Sequence, residues 1–472
     1  MKTSLNAAWM VGARVTADIA SFLLFVAISR SFGPEGIGTY SYGFAIATLV
    51  FVVGALGIDA YGIREYVRAP TPQRSDLLAE LLGAQIGILG PIIVVLCGYV
   101  WLTAEARGTV AVIAVLSVYQ YAVALTRTLF IPANAQLEMS GPAMIELGSR
   151  LLAIGFAIIA ITLAHASLLL ALCGFPLAGV VLVIAAVWSA RRFGGDLRIT
   201  ARWSAIRARL QRLWSFAAAE ALVQVFVRIG LVTLTLVVGA AAAGLYATGL
   251  KFVEIALMPL IFAGLAVYPK LSSLATSNRI EFQQLSAQFL LAAVALTGLV
   301  IWGLYFIVPL ILVPLLGVRF EPTIPVLQQM TTLALVQAGE VVLVRLLLAS
   351  DLQISRLRIL AGCTALNVVI TVALVPRWHI SGAIAASVAA LLVLDLFYTR
   401  ALPTAVKAIA GRTAFTLLSA LLAAGALTWL AYRWAWPYWL SAAAALLVFA
   451  VVAGLCHLAL RNAAGHTRVA LS

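Results

Sequence analysis

Charged side chains are scarce in this 472-residue chain: Asp, Glu, Lys and Arg make up 10% of it, against about 25% in soluble domains. Hydrophobic residues make up 64%, and the mean hydropathy is +1.08. A chain this poor in charge cannot cover its surface with well-hydrated side chains. The composition therefore excludes a soluble enzyme, a disordered tail protein and a nucleic-acid-binding protein of the usual kind, and it predicts a protein that lies mostly in lipid.

Cysteine and histidine are also few, with four of each. The cysteines lie scattered in apolar runs, with neither metal-binding spacing nor a disulfide framework, so we interpret them as small core residues. No GxxxxGK[ST] phosphate loop occurs. We therefore expect no cofactor, and any coupled ion would be H⁺ or Na⁺. The first apolar stretch contains Arg14 and Asp18 and is expected to be a retained helix.

The apolar stretches are long and continuous, as spanning helices of about 20 residues require, and they do not alternate as barrel strands do. They predict an all-α polytopic membrane protein with about fourteen transmembrane helices. The short connections leave no room for a soluble domain. The predicted spans are 8–30, 38–60, 78–102, 110–133, 142–164, 167–189, 215–238, 242–268, 287–313, 323–349, 356–375, 380–402, 413–432 and 437–460.

Lys and Arg collect in alternate loops. With both termini in the cytoplasm, twenty of these side chains lie in cytoplasmic segments, five on the opposite side and six inside predicted helices. Cytoplasmic loops are enriched in Lys and Arg, so this bias supports the topology. The loop 190–213 contains seven Arg. We interpret it as a linker that follows this rule; the alternative is an interfacial amphipathic helix that recruits anionic lipid or a partner.

Two segments 206 residues apart share three glycines and a tyrosine, each where the chain enters the second helix of one half. An even number of helices per repeat gives both copies one orientation, which predicts two parallel six-helix lobes and a terminal helix pair. The predicted limits are 1–190 for the N-lobe with helices 1–6, 191–213 for a basic cytoplasmic linker, 214–402 for the C-lobe with helices 7–12, and 403–472 for helices 13–14 and the tail. The repeated residues are Gly33, Gly38, Tyr40 and Gly43, and Gly239, Gly244, Tyr246 and Gly249.

Five segments carry a family resemblance: SRSFGPEGIGTY at 29–40, LGIDAYGIREYVR at 56–68, GLYATGLKFVEIALMPLIFAGLAVYPKLSSL at 244–274, LLGVRFEPTIPVLQQM at 315–330 and LVPRWHISGAIAAS at 374–387. In this order they resemble Wzx-type polysaccharide flippases of the multidrug/oligosaccharidyl-lipid/polysaccharide exporter superfamily. The resemblance implies two lobes in a V with two further C-terminal helices, in the bacterial cytoplasmic (inner) membrane. It also implies a substrate, a lipid-linked oligosaccharide on undecaprenyl pyrophosphate that is moved to the outer leaflet for O-antigen or exopolysaccharide synthesis. Expected partners are membrane lipids and other polysaccharide assembly proteins, and nucleic acid is not among them.

Six cations fall inside predicted helices. A Lys or Arg at the bilayer centre costs roughly 2.5–3.5 kcal/mol on insertion scales, so these side chains should face partners or a wet cavity. We predict a cationic lumen that binds pyrophosphate and acidic sugars, since the planar guanidinium donates to two phosphate oxygens at once. The structural alternative is a set of buried ion pairs that hold helices in register. The lumen residues are Arg14, Arg127, Arg150, Arg228, Lys251 and Arg345.

Carboxylates within predicted helices are the candidates for ion coupling: Asp18, Asp59, Glu220, Glu254 and Glu340. Two of these carboxylates lie three or four residues from a Lys or Arg on the same predicted helix, a spacing at which the two side chains can pair. Arg14 and Asp18 are four residues apart, Lys251 and Glu254 three, and Glu220, Gln224 and Arg228 form a stripe at intervals of four. Other polar residues at depth are Glu80, Gln85, Gln120, Gln337, Asn367 and Asp395.

Three rival functions stay open at this point. A lipid-linked peptidoglycan precursor also carries pyrophosphate and fits the same fold. An exporter of drug-like cations fits poorly, because a cationic cavity repels cations. A membrane-embedded glycan polymerase or ligase needs a sizeable outward loop with catalytic side chains, and the predicted outward loops are short. We therefore expect a transporter and not an enzyme.

Overall fold

The computed structural model describes residues 2–55, 58–102, 108–195, 203–403 and 437–451, together with 406–407, 411, 433 and 454. Within these residues the regular secondary structure is helical, and no strand occurs. Ten helical stretches are long and apolar enough to cross a membrane. The predicted class is confirmed at this level: the chain is an all-helical, multi-pass membrane protein.

The chain divides into two units, Met1–Ala247 and Thr248–Ser472. In the first, α4 contacts α1, α3 and α8, while α1 also contacts α6 and α9. Apolar side chains fill the junctions, as where Leu82 of α3, Leu129 of α4 and Ala186 of α8 meet. The helices are α1 (Lys2–Ala55), α2 (Ile58–Arg68), α3 (Thr71–Leu102), α4 (Thr109–Leu129), α5 (Ile131–Ala135), α6 (Ser140–Thr162), α7 (Leu168–Leu172), α8 (Gly174–Arg192) and α9 (Trp203–Val237).

The second unit is built around α13, which contacts both α11 and α14. Its chain continues from α10 (Ala240–Ser277) through α11 (Arg279–Trp302), a π-helix (Gly303–Ile307), α12 (Val308–Leu316), a 3₁₀ turn (Val318–Phe320), α13 (Thr323–Ala349) and α14 (Gln353–Ala401) to α15 (Tyr438–Val451).

The C-terminal helix α15 docks on the π-helix and the end of α11. The Tyr438 hydroxyl donates to the Phe306 carbonyl at 2.8 Å, and the Trp302 indole donates to the Ala442 carbonyl at 2.8 Å. These two hydrogen bonds tie α15 to the π-helix and to the end of α11. The segment 437–451 is therefore an integral part of the second unit.

Two of the long helices are broken by residues with positive φ. In α1 the break is Gly33 (φ 67°, ψ −162°), followed by Pro34, and in α14 it is His379 (φ 49°, ψ −123°). Glycine adopts such angles at low cost, whereas histidine is strained there. Each helix thus contains two apolar segments, which correspond to the spans predicted as 8–30 and 38–60, and as 356–375 and 380–402.

The two copies of the sequence repeat meet in the first unit. Gly33 and Gly239 both have positive φ. A Cβ on Gly38 would overlap the Ala240 carbonyl, and a Cβ on Gly244 would overlap the Pro34 carbonyl. The two contacts are equivalent in the repeat, because Gly38 and Gly244 are 206 residues apart and so are Pro34 and Ala240. The shared glycines therefore let the two helix beginnings cross backbone to backbone, a role that their spacing did not reveal.

Several predicted boundaries differ from the structure. The described part of the span 38–60 belongs to α1 up to Ala55 and to α2 from Ile58, and residues 56–57 lie outside the described part of the chain. Residues 203–213 do not form a separate amphipathic helix but begin α9, which continues to Val237. All of 413–432 lies outside the described residues. The number of fourteen helices, the V arrangement and the four domain limits stay predictions.

Candidate functional site

The second half of α1 carries three aromatic side chains on one side. Tyr40, Phe44 and Phe51 are separated by four and seven residues, which in an α-helix places them within about 40° of one another. The rings of Tyr40 and Phe44 stack with centroids 6.2 Å apart. All three side chains are half-buried. We call this set the aromatic face of α1.

Two predicted lumen cations lie over this face. The Cζ atom of Arg228, on α9, is 5.7 Å from the centroid of Phe44, and that of Arg127, on α4, is 5.5 Å from the centroid of Phe51. An arginine over a ring is attracted by the negative ring face, by about 0.5–2 kcal/mol depending on desolvation. Residues distant in sequence thus meet on one helix surface.

A third predicted cation, Arg150 on α6, lies at the same face. Its charge acts on the Tyr40 hydroxyl and on the hydroxyl of Tyr119. Ser149, beside it in sequence, donates to the Ala178 carbonyl at 3.1 Å and ties α6 to α8. Three of the six predicted cations are thereby gathered around the aromatic face of α1 from three different helices.

The predicted polar stripe on α9 is a hydrogen-bonded relay. Arg228 Nε donates to Gln224 Oε1 at 3.1 Å, and Gln224 Nε2 donates to Glu220 Oε1 at 3.1 Å. The relay holds the guanidinium of Arg228 in one orientation over Phe44. The spacing of four residues predicted this contact correctly.

Arg14 forms the predicted pair with Asp18 on the first half of α1, with Nε 3.1 Å from Oδ2. The Arg14 side chain is 69% exposed, so the Coulomb energy of this pair is small. Arg14 therefore stands apart from the three arginines at the aromatic face, and its function as a lumen residue stays a prediction.

The second unit contains the other two predicted cations. Lys251 Nζ is 3.6 Å from Glu254 Oε2, as the spacing of three predicted. Arg345 is half-buried and lies against Gly264, where a Cβ would be 3.4 Å from both Cγ and Nε of the arginine. With four cations in one unit and two in the other, a lumen shared by all six stays a prediction.

Glu340 lies in a larger charged cluster than its sequence neighbourhood indicates. Arg345 and Arg356 both interact electrostatically with its carboxylate, and Asp395 lies close enough to interact with it as well. The sequence predicts Asp395 only as a polar residue at depth and not as a coupling carboxylate. The break at His379 turns α14 back, and this return brings Asp395 beside α13; no local sequence pattern signals such a contact.

The remaining predicted residues divide into described and undescribed ones. Gln85 is buried, donates to the Ala124 carbonyl at 2.9 Å and accepts from Thr128 at 2.8 Å, so it is a satisfied structural residue. The side chain of Asp59 lies outside the described residues. Among the residues that the structure describes, no group of three or more His, Cys, Asp or Glu side chains could hold a metal ion.

The short helix α2 and the beginning of α3 form a basic surface on the first unit. Arg74 lies 5.2 Å from the Tyr66 ring centroid, and Arg64 lies 5.8 Å from that of Tyr61. Burial raises the pKa of Tyr66, and the Arg74 charge partly opposes this rise. Both tyrosines also belong to an apolar cluster with α3 and α5, which anchors the helix.

The aromatic face is suited to an anionic glycan head group. Arginine forks bind pairs of phosphate oxygens, and the flat faces of aromatic rings can stack against the C–H groups of a sugar. The side chains of the rings and arginines are half-buried, so the site is partly desolvated.

The sequence matches the profile of a family described as polysaccharide biosynthesis protein over residues 5–275, whereas no curated protein matches it. The fold is similar to that of the lipid II flippase MurJ in an inward closed conformation, with a TM-score of 0.69 and 12% identity over 96% of this chain and 99% of that one. An inward-facing multidrug resistance transporter of the MATE family, in the MOP superfamily, gives a TM-score of 0.60 with 12% identity over 87% and 99%. An outward-facing one gives 0.56 with 13% identity over 84% and 94%. At these identities the likeness shows a shared fold.

Proposed function

Because the chain belongs to the polysaccharide biosynthesis protein family, we propose that it is a flippase for undecaprenyl-pyrophosphate-linked oligosaccharide repeat units. It moves them from the inner to the outer leaflet of the bacterial cytoplasmic membrane for O-antigen or exopolysaccharide synthesis. Both termini face the cytoplasm, and transport follows alternating access of two lobes.

The observation that carries this proposal is the convergence of Arg127, Arg150 and Arg228 on the aromatic face of α1. Pyrophosphate needs several cationic donors, and an oligosaccharide needs flat apolar surfaces beside hydrogen-bonding groups. Both requirements are met by three arginines around three rings. In an ordinary helix interface, apolar side chains would fill this space at lower cost.

Transport then proceeds by a sequence of charge-compensated steps. The sugar–pyrophosphate head leaves the cytoplasmic interface and binds the three arginines, while the lipid tail stays in the bilayer. The arginines replace the water and counterions of the pyrophosphate, so the head crosses the membrane without facing hydrocarbon. Coupling to H⁺ or Na⁺ drives release on the outer side, with no bound cofactor. Other polysaccharide assembly proteins take up the product.

A lipid-linked peptidoglycan precursor is the second candidate substrate. Its head also carries pyrophosphate, and the fold is similar to that of a lipid II flippase. The family match favours polysaccharide precursors. A glycan polymerase or ligase is a weaker alternative, since the chain has the fold of transporters and the predicted outward loops are short.

A gene deletion in the host tests the proposal. We expect loss of one surface polysaccharide, with its undecaprenyl-linked repeat unit accumulating on the cytoplasmic side. Accumulation of a peptidoglycan precursor with intact surface polysaccharide would select the second candidate. Repeat units that reach the outer leaflet but stay unpolymerised would indicate an enzyme.

Complementation with variants then tests the site. Arg228→Ala should fail to restore the polymer, because loss of one charged hydrogen-bonding group costs about 1.5–3 kcal/mol, or roughly 10–150-fold in affinity. Arg228→Lys should restore it partly, since Lys keeps the charge but loses the planar fork. The matched control is Arg68→Ala, an exposed arginine on α2. Full complementation by Arg228→Ala would contradict the site.

A further inference from the structure

The second unit contains a charged cluster that is separate from the aromatic face of α1. It is formed by α13 and by both ends of α14, where Arg356 precedes the break and Asp395 and Tyr398 follow it. We call it the α13–α14 cluster. Its members are Glu340, Arg345, Arg356, Asp395 and Tyr398.

Several polar atoms of the cluster are buried. Within the described part of the chain, Oδ1 of Asp395, Nε of Arg345 and Nε of Arg356 meet no atom at hydrogen-bonding geometry. Tyr398 is fully buried, at 0% exposure, and its hydroxyl lies beside Arg356. An unsatisfied buried polar group costs about 1–3 kcal/mol, so the ionised form of Asp395 is costly at this position.

The backbone makes room for the Asp395 carboxylate. A Cβ on Gly339 would lie 2.7 Å from Asp395 Oδ2, so any larger residue at position 339 would displace the carboxylate. Asp395 is thereby held against α13, one residue from Glu340.

Charges within the cluster are unevenly distributed. Both arginines interact with Glu340, whereas the charged group that acts on Asp395 is Glu340 itself. Gly264 abuts Arg345, and the Cys363 thiol faces Tyr398. Two carboxylates that share a partly dry site cannot both stay ionised unless each has its own counter-charge.

We propose that Glu340 and Asp395 form a proton-binding site in which Asp395 holds one exchangeable proton. On loading, an O–H bond forms at Asp395 with a proton from water on one side of the membrane, and the carboxylate becomes neutral. On release, the same bond breaks and the proton passes to water on the other side. The charges of Arg345 and Arg356 favour the ionised form of Glu340. A proton fits better than Na⁺, because a proton needs one carboxylate oxygen, whereas the described residues hold no group of three or more His, Cys, Asp or Glu side chains that could ligate a metal ion.

Proton binding at Asp395 does not depend on the substrate, but its use in driving transport rests on the proposed flippase function. The site then supplies the coupling ion of that transport. It pairs Glu340, one of the predicted coupling carboxylates, with a carboxylate that sequence patterns did not select.

Infrared spectroscopy of the purified full-length chain in lipid nanodiscs tests the protonation. At neutral pH the wild type should show a protonated-carboxyl C=O stretch that shifts in D₂O and is lost in Asp395→Asn. The matched control, Asp351→Asn, removes an exposed carboxylate in the connection between α13 and α14 and should leave the band unchanged. Absence of the band from the wild type, or its persistence in Asp395→Asn, would overturn the proposal.

Size-exclusion chromatography will show whether Asp395→Asn folds. If it does not, Asp395→Glu supplies the second measurement, because it keeps an acid at this position and should shift the band without removing it. An unshifted band in Asp395→Glu would also overturn the assignment.

Complementation in the deletion strain tests coupling. Asp395→Asn should lose polymer export even though the protein is present in the membrane, and wild-type export should respond to a protonophore and not to removal of Na⁺. Normal export by Asp395→Asn, or dependence on Na⁺, would overturn coupling at this site. If deletion itself leaves the polysaccharide unchanged, the flippase proposal fails, while the infrared result still decides whether the proton site exists.

Discussion

The crossing of the two repeat copies makes a sharp prediction about Gly38. In Gly38→Ala the added methyl group would overlap the Ala240 carbonyl. That oxygen belongs to a helical backbone and cannot turn away as a flexible side chain could. The helix beginnings must therefore move apart, and the contact between Gly244 and the Pro34 carbonyl must loosen with them.

The expected magnitude follows from two opposing terms. Overpacking costs about 1–3 kcal/mol, while replacing Gly by Ala inside a helix gains up to about 1 kcal/mol. We therefore expect a net loss of about 1–2 kcal/mol for Gly38→Ala. Gly87 in α3 is the matched control, because a Cβ there meets no atom within 4 Å, and Gly87→Ala should be neutral or stabilising.

Thermal unfolding in detergent measures the difference between these variants. A change of 1 kcal/mol shifts Tm by about 2–4 °C in domains of 150–250 residues, and by less in longer chains. Gly38→Ala should thus unfold a few degrees below Gly87→Ala. Gly244→Ala should match Gly38→Ala, and the double variant should lose less than the sum, because the helices are already separated. Equal Tm values for Gly38→Ala and Gly87→Ala, or full additivity in the double variant, would refute the crossing.

Three further predictions concern stability. Phe449→Ala should lower Tm markedly and reduce the unfolding free energy by up to about 3–5 kcal/mol, because the Phe449 ring lies directly against Gly298. The control is Leu447→Ala at an exposed position, and equal losses in the two variants would contradict the contact. His379→Gly should raise Tm, since glycine relieves about 1 kcal/mol or more of strain at φ 49°; a lower Tm would refute the strain. Asp18→Asn should have almost the same Tm as the wild type at every salt concentration, because an exposed ion pair contributes about 0–1 kcal/mol to the unfolding free energy. A loss of several degrees would show that the pair is buried in lipid or protein.

Local sequence patterns predicted the contacts that depend on helical period. The four-residue intervals from Glu220 to Arg228 became hydrogen bonds, and the pairing of Arg14 with Asp18 was also correct. These contacts follow from the geometry of one helix, which is the same wherever that helix lies. Boundaries were less accurate, as at residues 203–213, which begin α9, because a basic composition does not by itself end a helix.

The sequence by itself determined the all-helical, membrane-spanning class, the resemblance to a flippase family and the repeat at an offset of 206 residues. Composition, hydrophobic run length and glycine spacing are local properties, and they suffice for those conclusions. Only the tertiary structure decided that the repeat glycines cross, that three arginines from α4, α6 and α9 meet the aromatic face of α1, and that Asp395 lies beside Glu340. Each of these contacts joins helices that are far apart in the chain. Which residues meet depends on which helix surfaces pack together, and the periodicity of a single helix does not predict that packing.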